Sequence, residues 1–466
     1  MNIVLIYPGV ILAPTEVEKE YKNVPTINLP LGILYLGQVL KDNGHNVLLY
    51  DHYVSRKPIK EVIDWLKKVN PDVLGFSVLG ANLPTANAIA KEAKAGNPNL
   101  PIIYGGYLPT FCAPEILKNY EYVDFCVRGE GEQTIIELLD ALETNKPVSE
   151  ILGISYRSNG KLIGNGDRPL IEDLDSIPFP NRKLLHQTYQ YHGKITTIIS
   201  SRGCPFSCRF CSCCKFSRGR WRLRSVENVI EEMRYLQASG YYELLFTDDC
   251  FNAKPQRILR LCHLMKQEKL DFAWHSIGRV SQSNVRFLRT MVEAGCKTLT
   301  YGIESANQRI LDYYNKKATP EMAVTAVKNA KKAGIENIGA GFIIGAPIET
   351  SEEIMNTIKF GIGLQKCGLN NLQFQILFIS PGTALFEEFV EKGYINPETD
   401  WAKNIAAVER IPNALSRAYL ETLSKRAFKD FVVNKRFLIS EYLKSAKSQY
   451  RMQAVTRLLS SRPKNF

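Results

Sequence analysis

Apolar residues fall in short blocks separated by amphipathic stretches over the first 145 residues. The runs NIVLIY (2–7) and DVLGFSVLG (72–80) have the length and composition of buried strands. Between them lie segments such as LGILYLGQVLKD (31–42), in which apolar residues recur at the spacing of one helix face. Continuous apolar strands that alternate with helices indicate a parallel sheet covered on both faces. Residues 1–145 are therefore predicted to form an α/β domain with a parallel sheet, in which ligands bind beyond the carboxyl ends of the strands.

The alternation weakens between residues 146 and 190. The segment GISYRSNGKLIGNG (153–166) has the Ser-Asn-Gly turn of a hairpin, and the prolines of DSIPFPNRKLL (175–185) stiffen the chain that follows. These features predict a linker with a hairpin over residues 146–190.

Residues 191–396 repeat the strand–helix alternation about six times. Six parallel units of this length fit a partial (β/α)6 barrel of the TIM type. Reactive groups of such barrels lie at the carboxyl ends of the strands, which the pattern places at Cys204, Asp248, Arg279, Glu304 and Pro381. Residues 397–466 are predicted to be helical, with apolar residues along one side and Lys and Arg along the other.

Length and composition predict a soluble, cytoplasmic protein. A chain of 466 residues with 45% hydrophobic and 23% charged residues is expected to form two or three globular domains. The start MNIVLIYPGV lacks the basic region and cleavage site of a secretory signal, and no run reaches the roughly 18 apolar residues of a membrane-spanning helix. In a reducing compartment, eleven cysteines indicate ligands or core thiols rather than disulfides.

The net charge of +12 is concentrated near the C-terminal end. Residues 411–466 contain twelve Lys and Arg against three Asp and Glu, a net charge of 12 − 3 = +9. This local excess does not indicate a nucleic-acid partner, since no RNA-binding motif accompanies it. Two interpretations remain open: a solvated basic face on a packing helix, and an interfacial helix near anionic lipid, which would make the protein peripheral to the membrane. The aromatic residues among the cations are Tyr419, Phe428, Phe431, Phe437 and Tyr442.

Five cysteines lie within SSRGCPFSCRFCSCC, directly after the first predicted barrel strand. Cys204, Cys208 and Cys211 have the spacing C-x3-C-x2-C. Three thiolates on one loop can bind three irons of a 4Fe-4S cube and leave the fourth iron open, and an open position is typical of a reactive metal site. The alternatives are a structural zinc loop and accidental clustering. Zinc sites normally use two separated ligand pairs, and the sequence has no matching second pair.

The other cysteines have no such pattern. Cys213 and Cys214 have no assigned role, with a fourth cluster ligand as one alternative. The remaining six are interpreted as small buried hydrophobic residues: Cys112, Cys126, Cys250, Cys262, Cys296 and Cys367.

The barrel region resembles the radical S-adenosylmethionine superfamily. Its signature is C-x3-C-x2-C with an aromatic residue before the last cysteine, a position that Phe210 fills. The resemblance implies that the amino and carboxylate groups of S-adenosylmethionine chelate the open iron. An electron from the cluster then cleaves the sulfonium to give a 5′-deoxyadenosyl radical, so that the cofactor supplies the chemistry and the protein supplies position.

Later segments resemble the strand-end motifs of the same superfamily: FTDD (246–249), YGIES (301–305), GFIIGAPIET (341–350) and SPGT (380–383). By this resemblance Phe210 packs near the adenine and Arg279 meets the carboxylate of S-adenosylmethionine. Asp248, Glu304 and Ser305 are candidates to contact the same cofactor. For each carboxylate, a helix N-cap or a strand-end salt bridge is the alternative.

The N-terminal domain resembles cobalamin-binding Rossmann-like domains, which carry D-x-H-x-x-G, S-x-L and G-G motifs. Ser77 and Leu79 are the first and last residues of an S-x-L motif, and Gly105-Gly106 follows after 25 intervening residues. The resemblance implies that these small residues let the nucleotide tail of cobalamin approach the backbone. The D-x-H-x-x-G motif is absent, because Asp51-His52 is adjacent rather than spaced and follows the second strand. A domain that keeps the fold without the cofactor is therefore the alternative.

The order of parts resembles the cobalamin-binding radical group, which includes methyltransferases, the anaerobic bacteriochlorophyll cyclase, and hopanoid- and archaeal-lipid-modifying enzymes. The resemblance implies modification of an unactivated carbon by methyl transfer, with one S-adenosylmethionine charging the cobalt and another making the radical. Without cobalamin, radical cyclisation or carbon–carbon coupling on a lipid or tetrapyrrole-like substrate is the alternative. The implied partners are a small-molecule substrate and a reducing donor such as flavodoxin or ferredoxin. From another class, a non-catalytic iron–sulfur or zinc sensor remains an alternative.

Overall fold

The computed structural model describes residues 1–10, 29–186, 195–398, 415–433, 435–448 and 450–452. The chain forms two compact units. The first consists mainly of residues up to 190, and the second consists mainly of the residues that follow.

The first unit is built on a seven-stranded sheet with β1 Asn2–Tyr7, β2 Asn46–Asp51, β3 Val73–Ser77, β4 Ile102–Gly105, β5 Phe125–Val127, β6 Ile154–Ser158 and β7 Lys161–Gly164. The order across the sheet is β2-β1-β3-β4-β5-β6-β7. The five strands β1–β5 pair in parallel, and Val4, Ile6 and Leu74 at its centre are fully buried. The α-helices are Leu31–Asp42, His52–Ser55, Ile59–Val69, Leu83–Gly96, Tyr107–Asn119 and Glu132–Thr144, with 3-10 turns at Gly80–Asn82, Leu174–Ser176 and Arg182–Leu184.

The hairpin β6–β7 extends this sheet. β6 pairs antiparallel with β5, so that Cys126 lies opposite Ser155. Arg128 fixes the junction, because its Nη1 donates to the Ile154 carbonyl oxygen at 3.0 Å. The segment interpreted from sequence as a linker thus contributes two strands to the first unit. The hairpin pattern is local, and it carries no information about which sheet edge the hairpin joins.

The second unit is an open barrel of six parallel strands, accompanied by a short antiparallel pair. The strands are β8 Ile195–Ile198, β9 Ser201–Arg202, β10 Arg222–Leu223, β11 Glu243–Phe246, β12 Ala273–Gly278, β13 Cys296–Glu304, β14 Asn337–Ile344 and β15 Asn371–Ile376. The barrel order is β8-β11-β12-β13-β14-β15, and β9 pairs with β10. The fold class predicted from sequence is confirmed.

Helices cover the outside of the barrel. The α-helices are Cys213–Phe216, Val226–Ala238, Pro255–Gln267, Val285–Glu293, Gln308–Tyr313, Pro320–Ala333, Ser351–Gly363, Ala384–Glu391, Arg417–Val432 and Lys435–Lys447, with 3-10 turns at Phe251–Ala253 and Leu364–Cys367. Their starts follow ordinary capping rules: Thr350 and Glu353, for example, form a reciprocal capping box. Among the described helices, none is long and apolar enough to cross a bilayer.

The C-terminal helices pack on the barrel. Leu420 and Phe431 of the Arg417–Val432 helix are each 1% exposed and join the core of the second unit. The Ser424 hydroxyl donates to the Phe374 carbonyl oxygen of β15 at 2.8 Å. The described part of the basic C-terminal region therefore belongs to the barrel unit.

Candidate functional site: the cysteine loop and the glycine edge

The cysteine loop, residues 203–217, follows β9 at the carboxyl end of β8. Gly203 has a φ of +88°, and a Cβ at this position would lie 2.2 Å from the Arg220 carbonyl oxygen. Only glycine fits this turn, because other residues would clash there and rarely adopt the conformation. The three signature cysteines are free thiols; Cys204 and Cys208 are half-buried and Cys211 is exposed.

Two of the signature thiols have a pKa that a further thiol lowers. The hydrogen bond with Cys250 lowers the pKa of Cys204 to about 7, and the hydrogen bond with Cys213 lowers the pKa of Cys211. Hydrogen bonds to a thiolate stabilise the deprotonated form that binds metal. Cys213 and the buried Cys250 thus support the signature thiols, a role that the sequence did not reveal.

Two buried cations lie beside Cys208, the remaining thiol of the signature. Arg279 Nη1 donates to Cys208 Sγ at 3.5 Å, and the guanidinium lies 3.8 Å from the centroid of the Phe206 ring. Arg279 also donates to the main-chain carbonyl of Lys316, which is itself only 6% exposed. Burial raises the pKa of Cys208, and the charges of Lys316 and Arg279 oppose this rise. The two cations therefore offset negative charge on the thiolates.

Glu304 ends β13 in a strained conformation. Its φ is +71°, which is uncommon for a residue with a side chain. Its Oε1 accepts from Lys316 Nζ at 2.6 Å, and the two side chains are 11% and 8% exposed. Strained backbone clusters at binding and active sites, so this strand end is a candidate for cofactor contact.

Residues 313–316 brace the cysteine loop. The Arg209 N–H donates to the Tyr314 carbonyl oxygen at 3.0 Å, and Asn315 Nδ2 donates to the Ser207 carbonyl oxygen at 3.0 Å. The Phe210 ring meets the Tyr314 ring edge-on at a centroid distance of 5.0 Å. These contacts place the signature aromatic residue and the Glu304–Lys316 pair at one end of the barrel.

Asp248 accepts hydrogen bonds from the two serines that precede the cysteine loop. Its Oδ1 accepts from the hydroxyls of Ser200, at 2.7 Å, and Ser201, and its Oδ2 accepts from the Ser200 N–H at 3.1 Å. Burial raises the pKa of Asp248, and these hydrogen bonds oppose the rise. The carboxylate positions the segment that leads into the cysteine loop. Its contact with S-adenosylmethionine stays a prediction.

Ser305 is fully buried. Its hydroxyl lies 3.2 Å from Thr357 Oγ1 and accepts from the Asn307 N–H at 3.1 Å. The structure therefore brings Phe210, Arg279 and Glu304 toward Cys208, whereas Ser305 anchors the neighbouring turn. Its proposed cofactor contact stays a prediction.

The donor set of the cysteine loop fits a 4Fe-4S cluster. Among the described residues, no group of three or more His, Cys, Asp or Glu side chains is arranged to hold one metal ion. A cube requires no such group, because each thiolate binds a different iron and the sulfurs lie farther apart than ligands of one ion. A structural zinc site would need them to converge.

At the carboxyl ends of β3 and β4, Ser77, Leu79 and Gly105-Gly106 form a glycine edge. Ser77 pairs with Gly105 in the sheet, and the Val78 N–H donates to the Gly105 carbonyl oxygen at 2.7 Å. Gly106 has a φ of +105°, and a Cβ there would lie 3.0 Å from the Val78 carbonyl oxygen. The edge is lined by backbone, which suits a ligand that approaches the main chain, as the nucleotide tail of cobalamin does.

His52 is not available as a cobalt ligand. Its Nδ1 accepts from the Gly9 N–H at 3.1 Å, and its Nε2 lies 2.9 Å from the Lys57 carbonyl oxygen. The ring is 5% exposed, and burial lowers its pKa. Both ring nitrogens are thus occupied within the first unit, so the residues that would hold cobalamin do not include His52.

Alternate residues of the barrel strands point to opposite faces of the sheet. Leu299 and Tyr301 of β13 pack in the core beneath the helices, as do Leu372 and Phe374 of β15. The residues between them form the inner face of the barrel: Thr298, Thr300 and Gly302 of β13, Asn337, Gly339 and Gly341 of β14, and Asn371, Gln373 and Gln375 of β15.

The inner face has room beside two amide side chains. Gly341 lies opposite Gly302 and Gln373, and a Cβ at Gly341 would meet no atom within 4 Å. Gln373 and Gln375 are exposed, and neither side chain hydrogen-bonds to another described residue. This face can therefore accept a substrate that makes hydrogen bonds.

The open space at Gly341 can be tested through stability. Gly341→Ala is expected to change the free energy of unfolding by no more than about 1 kcal/mol, because the added methyl meets no neighbour and alanine restricts the unfolded chain. Gly339→Ala is the matched variant: its Cβ would lie 2.6 Å from Thr300 Oγ1, so we expect a loss of about 1–3 kcal/mol. Urea unfolding followed by circular dichroism compares the two. Equal losses at both positions would contradict an open inner face.

Two family models match the chain. Residues 198–361 match the radical SAM superfamily, and residues 22–139 match the B12 binding domain. An uncharacterized methyltransferase of Pyrococcus horikoshii is 36% identical over 446 residues, which are 95% of this chain and 94% of that protein. The chain belongs to the radical S-adenosylmethionine superfamily.

Within the superfamily, the chain belongs to the cobalamin-binding group. The anaerobic magnesium-protoporphyrin IX monomethyl ester cyclase of Rubrivivax gelatinosus is 27% identical over 480 residues, 99% of this chain and 83% of the cyclase. The radical S-adenosylmethionine methyltransferase TsrM from Kitasatospora setae, solved with cobalamin and a 4Fe-4S cluster, matches with a TM-score of 0.67. The match covers 84% of this chain and 78% of TsrM at 18% identity, and shows a shared fold.

Membership gives this radical SAM enzyme its cofactors: a 4Fe-4S cluster and S-adenosylmethionine and, through the B12 binding domain, cobalamin. The residues that hold each group stay predictions. Sequence reasoning missed Lys316 and Cys250, which lie far along the chain from the signature cysteines. It also missed Gln373 and Gln375, although the period-two pattern of NLQFQI marks them as one strand face.

Proposed function

We propose that this radical SAM enzyme transfers a methyl group, with cobalamin, to an unactivated carbon of a small-molecule substrate. The observation that carries the proposal is the presence in one chain of the cysteine loop and of the glycine edge of a B12 binding domain. The description of the Pyrococcus relative as a methyltransferase supports methyl transfer over other radical reactions.

The chain has candidate binding residues for the cluster and for cobalamin. When bound, the cluster and S-adenosylmethionine supply a radical that removes a hydrogen atom from carbon, and cobalamin supplies the methyl group. Cys204, Cys208 and Cys211 would hold the cluster. The backbone of the glycine edge, with Ser77, Leu79 and Gly105-Gly106, would hold cobalamin.

The barrel's own residues would bind and orient the other partners. Arg279 beside Cys208 would meet the carboxylate of S-adenosylmethionine, and the Glu304–Lys316 pair would lie along the same cofactor. Gln373 and Gln375 would orient the substrate by hydrogen bonds, and Gly341 would leave room for its carbon skeleton. The barrel walls would exclude water from the reacting carbon.

The partners in the proposal are a lipid or tetrapyrrole-like substrate and a low-potential donor such as flavodoxin or ferredoxin. Peripheral contact with a membrane is part of the proposal, and it is supported by Tyr442 of the Lys435–Lys447 helix, which is 74% exposed.

Quantifying the reaction products tests methyl transfer. The anaerobically reconstituted enzyme, with cobalamin, reductant and methyl-trideuterated S-adenosylmethionine, would be given a small-molecule and lipid extract of the cells that carry the protein. Methyl transfer uses two S-adenosylmethionine molecules, so S-adenosylhomocysteine and 5′-deoxyadenosine should form in about equal amounts. Mass spectrometry should find a product that carries the deuterated methyl group.

Other products would favour the alternatives. 5′-Deoxyadenosine without S-adenosylhomocysteine would contradict methyl transfer and favour radical cyclisation or coupling, which the similarity to the Rubrivivax cyclase makes the second candidate. Neither product from an enzyme with a full cluster would favour a non-catalytic sensor.

A further inference from the structure

The Lys435–Lys447 helix turns four large apolar side chains to solvent. Leu438, Ile439, Tyr442 and Leu443 are 51%, 62%, 74% and 53% exposed. Their spacing places them on one side of the helix, which is called here the C-terminal apolar face. An exposed patch of neighbouring apolar side chains indicates an interaction surface.

The opposite side of the helix is fixed to the barrel. The Phe437 ring packs against Phe431 at a centroid distance of 5.0 Å. Glu441 accepts from Asn370 Nδ2 at 2.9 Å and pairs with Arg451 at 2.6 Å. The helix is therefore docked on the barrel, and within the described part of the chain its orientation leaves the apolar face uncovered.

Positive charge lies at the border of the apolar face and behind it: Lys447 follows Leu443 by one turn of the helix, and further cations line the barrel side. A cavity of about 750 Å³ on the barrel side of the helix has five cationic and two acidic side chains among its lining: Lys297, Lys331, Lys444, Lys447, Arg451, Asp271 and Glu336. Lys331 and Lys447 pair with no carboxylate of the described residues. Residues 411–466 carry a net charge of +9. The partner that this surface fits is therefore both apolar and negatively charged.

We infer that the C-terminal apolar face docks on an anionic phospholipid bilayer, with Lys447 at the border of the face reaching the phosphate headgroups. The inference rests on the membrane contact in the proposed function and names its surface and the charge of its lipid. Apolar side chains on a basic helix bind in the interfacial plane, and each Lys or Arg near an anionic surface adds about 1 kcal/mol. A protein partner would need only the apolar surface, and its binding would not require the net charge of +9 that residues 411–466 carry.

The docked helix lies at the amino-terminal end of the barrel strands. Glu336 and Asn370 directly precede β14 and β15, and Lys297 is at the start of β13. The cysteine loop follows β8 and β9 at the opposite end. At about 3.3 Å per residue, strands of six to nine residues separate the two ends by roughly 20–30 Å. The anchor thus holds the enzyme at the surface, with the cysteine loop at the end of the barrel that faces away from the bilayer.

Vesicle binding tests the inference. The reconstituted full-length enzyme would be sedimented with vesicles of phosphatidylcholine alone or with about 30 mol% phosphatidylglycerol. We expect binding to the anionic vesicles only, and about tenfold weaker binding of Ile439→Asp and Tyr442→Asp. Tyr235→Asp is the matched control, because Tyr235 is 42% exposed on the Val226–Ala238 helix. It should bind like the wild type, and all variants should form 5′-deoxyadenosine at the wild-type rate.

Four results would overturn the inference: equal binding to both kinds of vesicle, unchanged binding of the two variants, a dimer that either variant dissociates, or stabilisation by inorganic phosphate with no vesicle binding. The third would assign the face to a second copy of the chain, and the fourth would assign the cavity to free phosphate. Vesicle binding by a protein that forms no methylated product would count against methyl transfer alone.

Discussion

Cys208→Ala is expected to abolish the 4Fe-4S cluster, whereas Cys213→Ala keeps it. Cys208 is the central thiol of the signature and lies beside Arg279, so its loss removes one of the three predicted iron ligands. Cys213 lies outside the C-x3-C-x2-C signature, and its described effect is to lower the pKa of Cys211. Anaerobic reconstitution with iron and sulfide gives a broad thiolate-to-iron absorption at about 400 nm, which measures the cluster directly. Formation of 5′-deoxyadenosine should disappear with it in Cys208→Ala.

Cys213 and Cys250, which lower the pKa of Cys211 and of Cys204, provide a graded control. Cys213→Ala and Cys250→Ala should keep the absorption band and shift the reduction potential to more negative values, because hydrogen bonds to cluster sulfurs raise the potential. A cluster that survives in Cys208→Ala and disappears in Cys213→Ala would contradict the assignment of ligands. A band lost in all of these variants would show that the loop had failed to fold.

Lys316→Met is expected to destabilise the barrel by about 3–5 kcal/mol, because it leaves the Glu304 carboxylate buried without its cation. The two atoms lie 2.6 Å apart, and the side chains are 8% and 11% exposed. The double variant Lys316→Met/Glu304→Gln should recover most of the loss, since no unpaired charge remains. Chemical denaturation of the four proteins completes a double-mutant cycle.

Lys297→Met is the matched control for this pair. Lys297 Nζ lies 2.7 Å from Glu336 Oε1, but the side chains are 33% and 22% exposed. Water screens such a pair, so the expected loss is at most about 1 kcal/mol. Equal losses for Lys297→Met and Lys316→Met would mean that solvent reaches Glu304, and would remove the reason for treating the strand end as an enclosed binding position.

Local patterns were enough to predict the elements and the signature. The continuous apolar runs of β1 and β3 indicated a buried parallel sheet, and the six repeats after residue 191 indicated the barrel. Cys204, Cys208 and Cys211 lie within eight residues of one another, so their spacing alone indicated a cluster loop. Each of these features depends on neighbours in the sequence, where period and spacing carry the information.

The surroundings of the signature depended on distant residues. Lys316 lies 108 positions after Cys208, and it reaches the cysteine loop because the chain after β13 folds back along residues 313–316. Cys250 meets Cys204 because β8 and β11 are neighbours in the barrel. The same holds for the hairpin β6–β7, whose alternation is visible in sequence but whose partner strand is not.

The sequence by itself therefore determined the fold class, the order of the two units and the absence of the D-x-H-x-x-G motif, and it predicted the cluster ligands. Only the tertiary structure decided that Asp248 accepts hydrogen bonds from Ser200 and Ser201 and that both ring nitrogens of His52 have hydrogen-bond partners. It also decided that Gln373 and Gln375 share an open face with Gly341. The physical reason is that hydrogen bonds, burial and open space arise between side chains that strand pairing brings together. Strand pairing is set by the packing of the whole barrel and sheet rather than by any short stretch of chain.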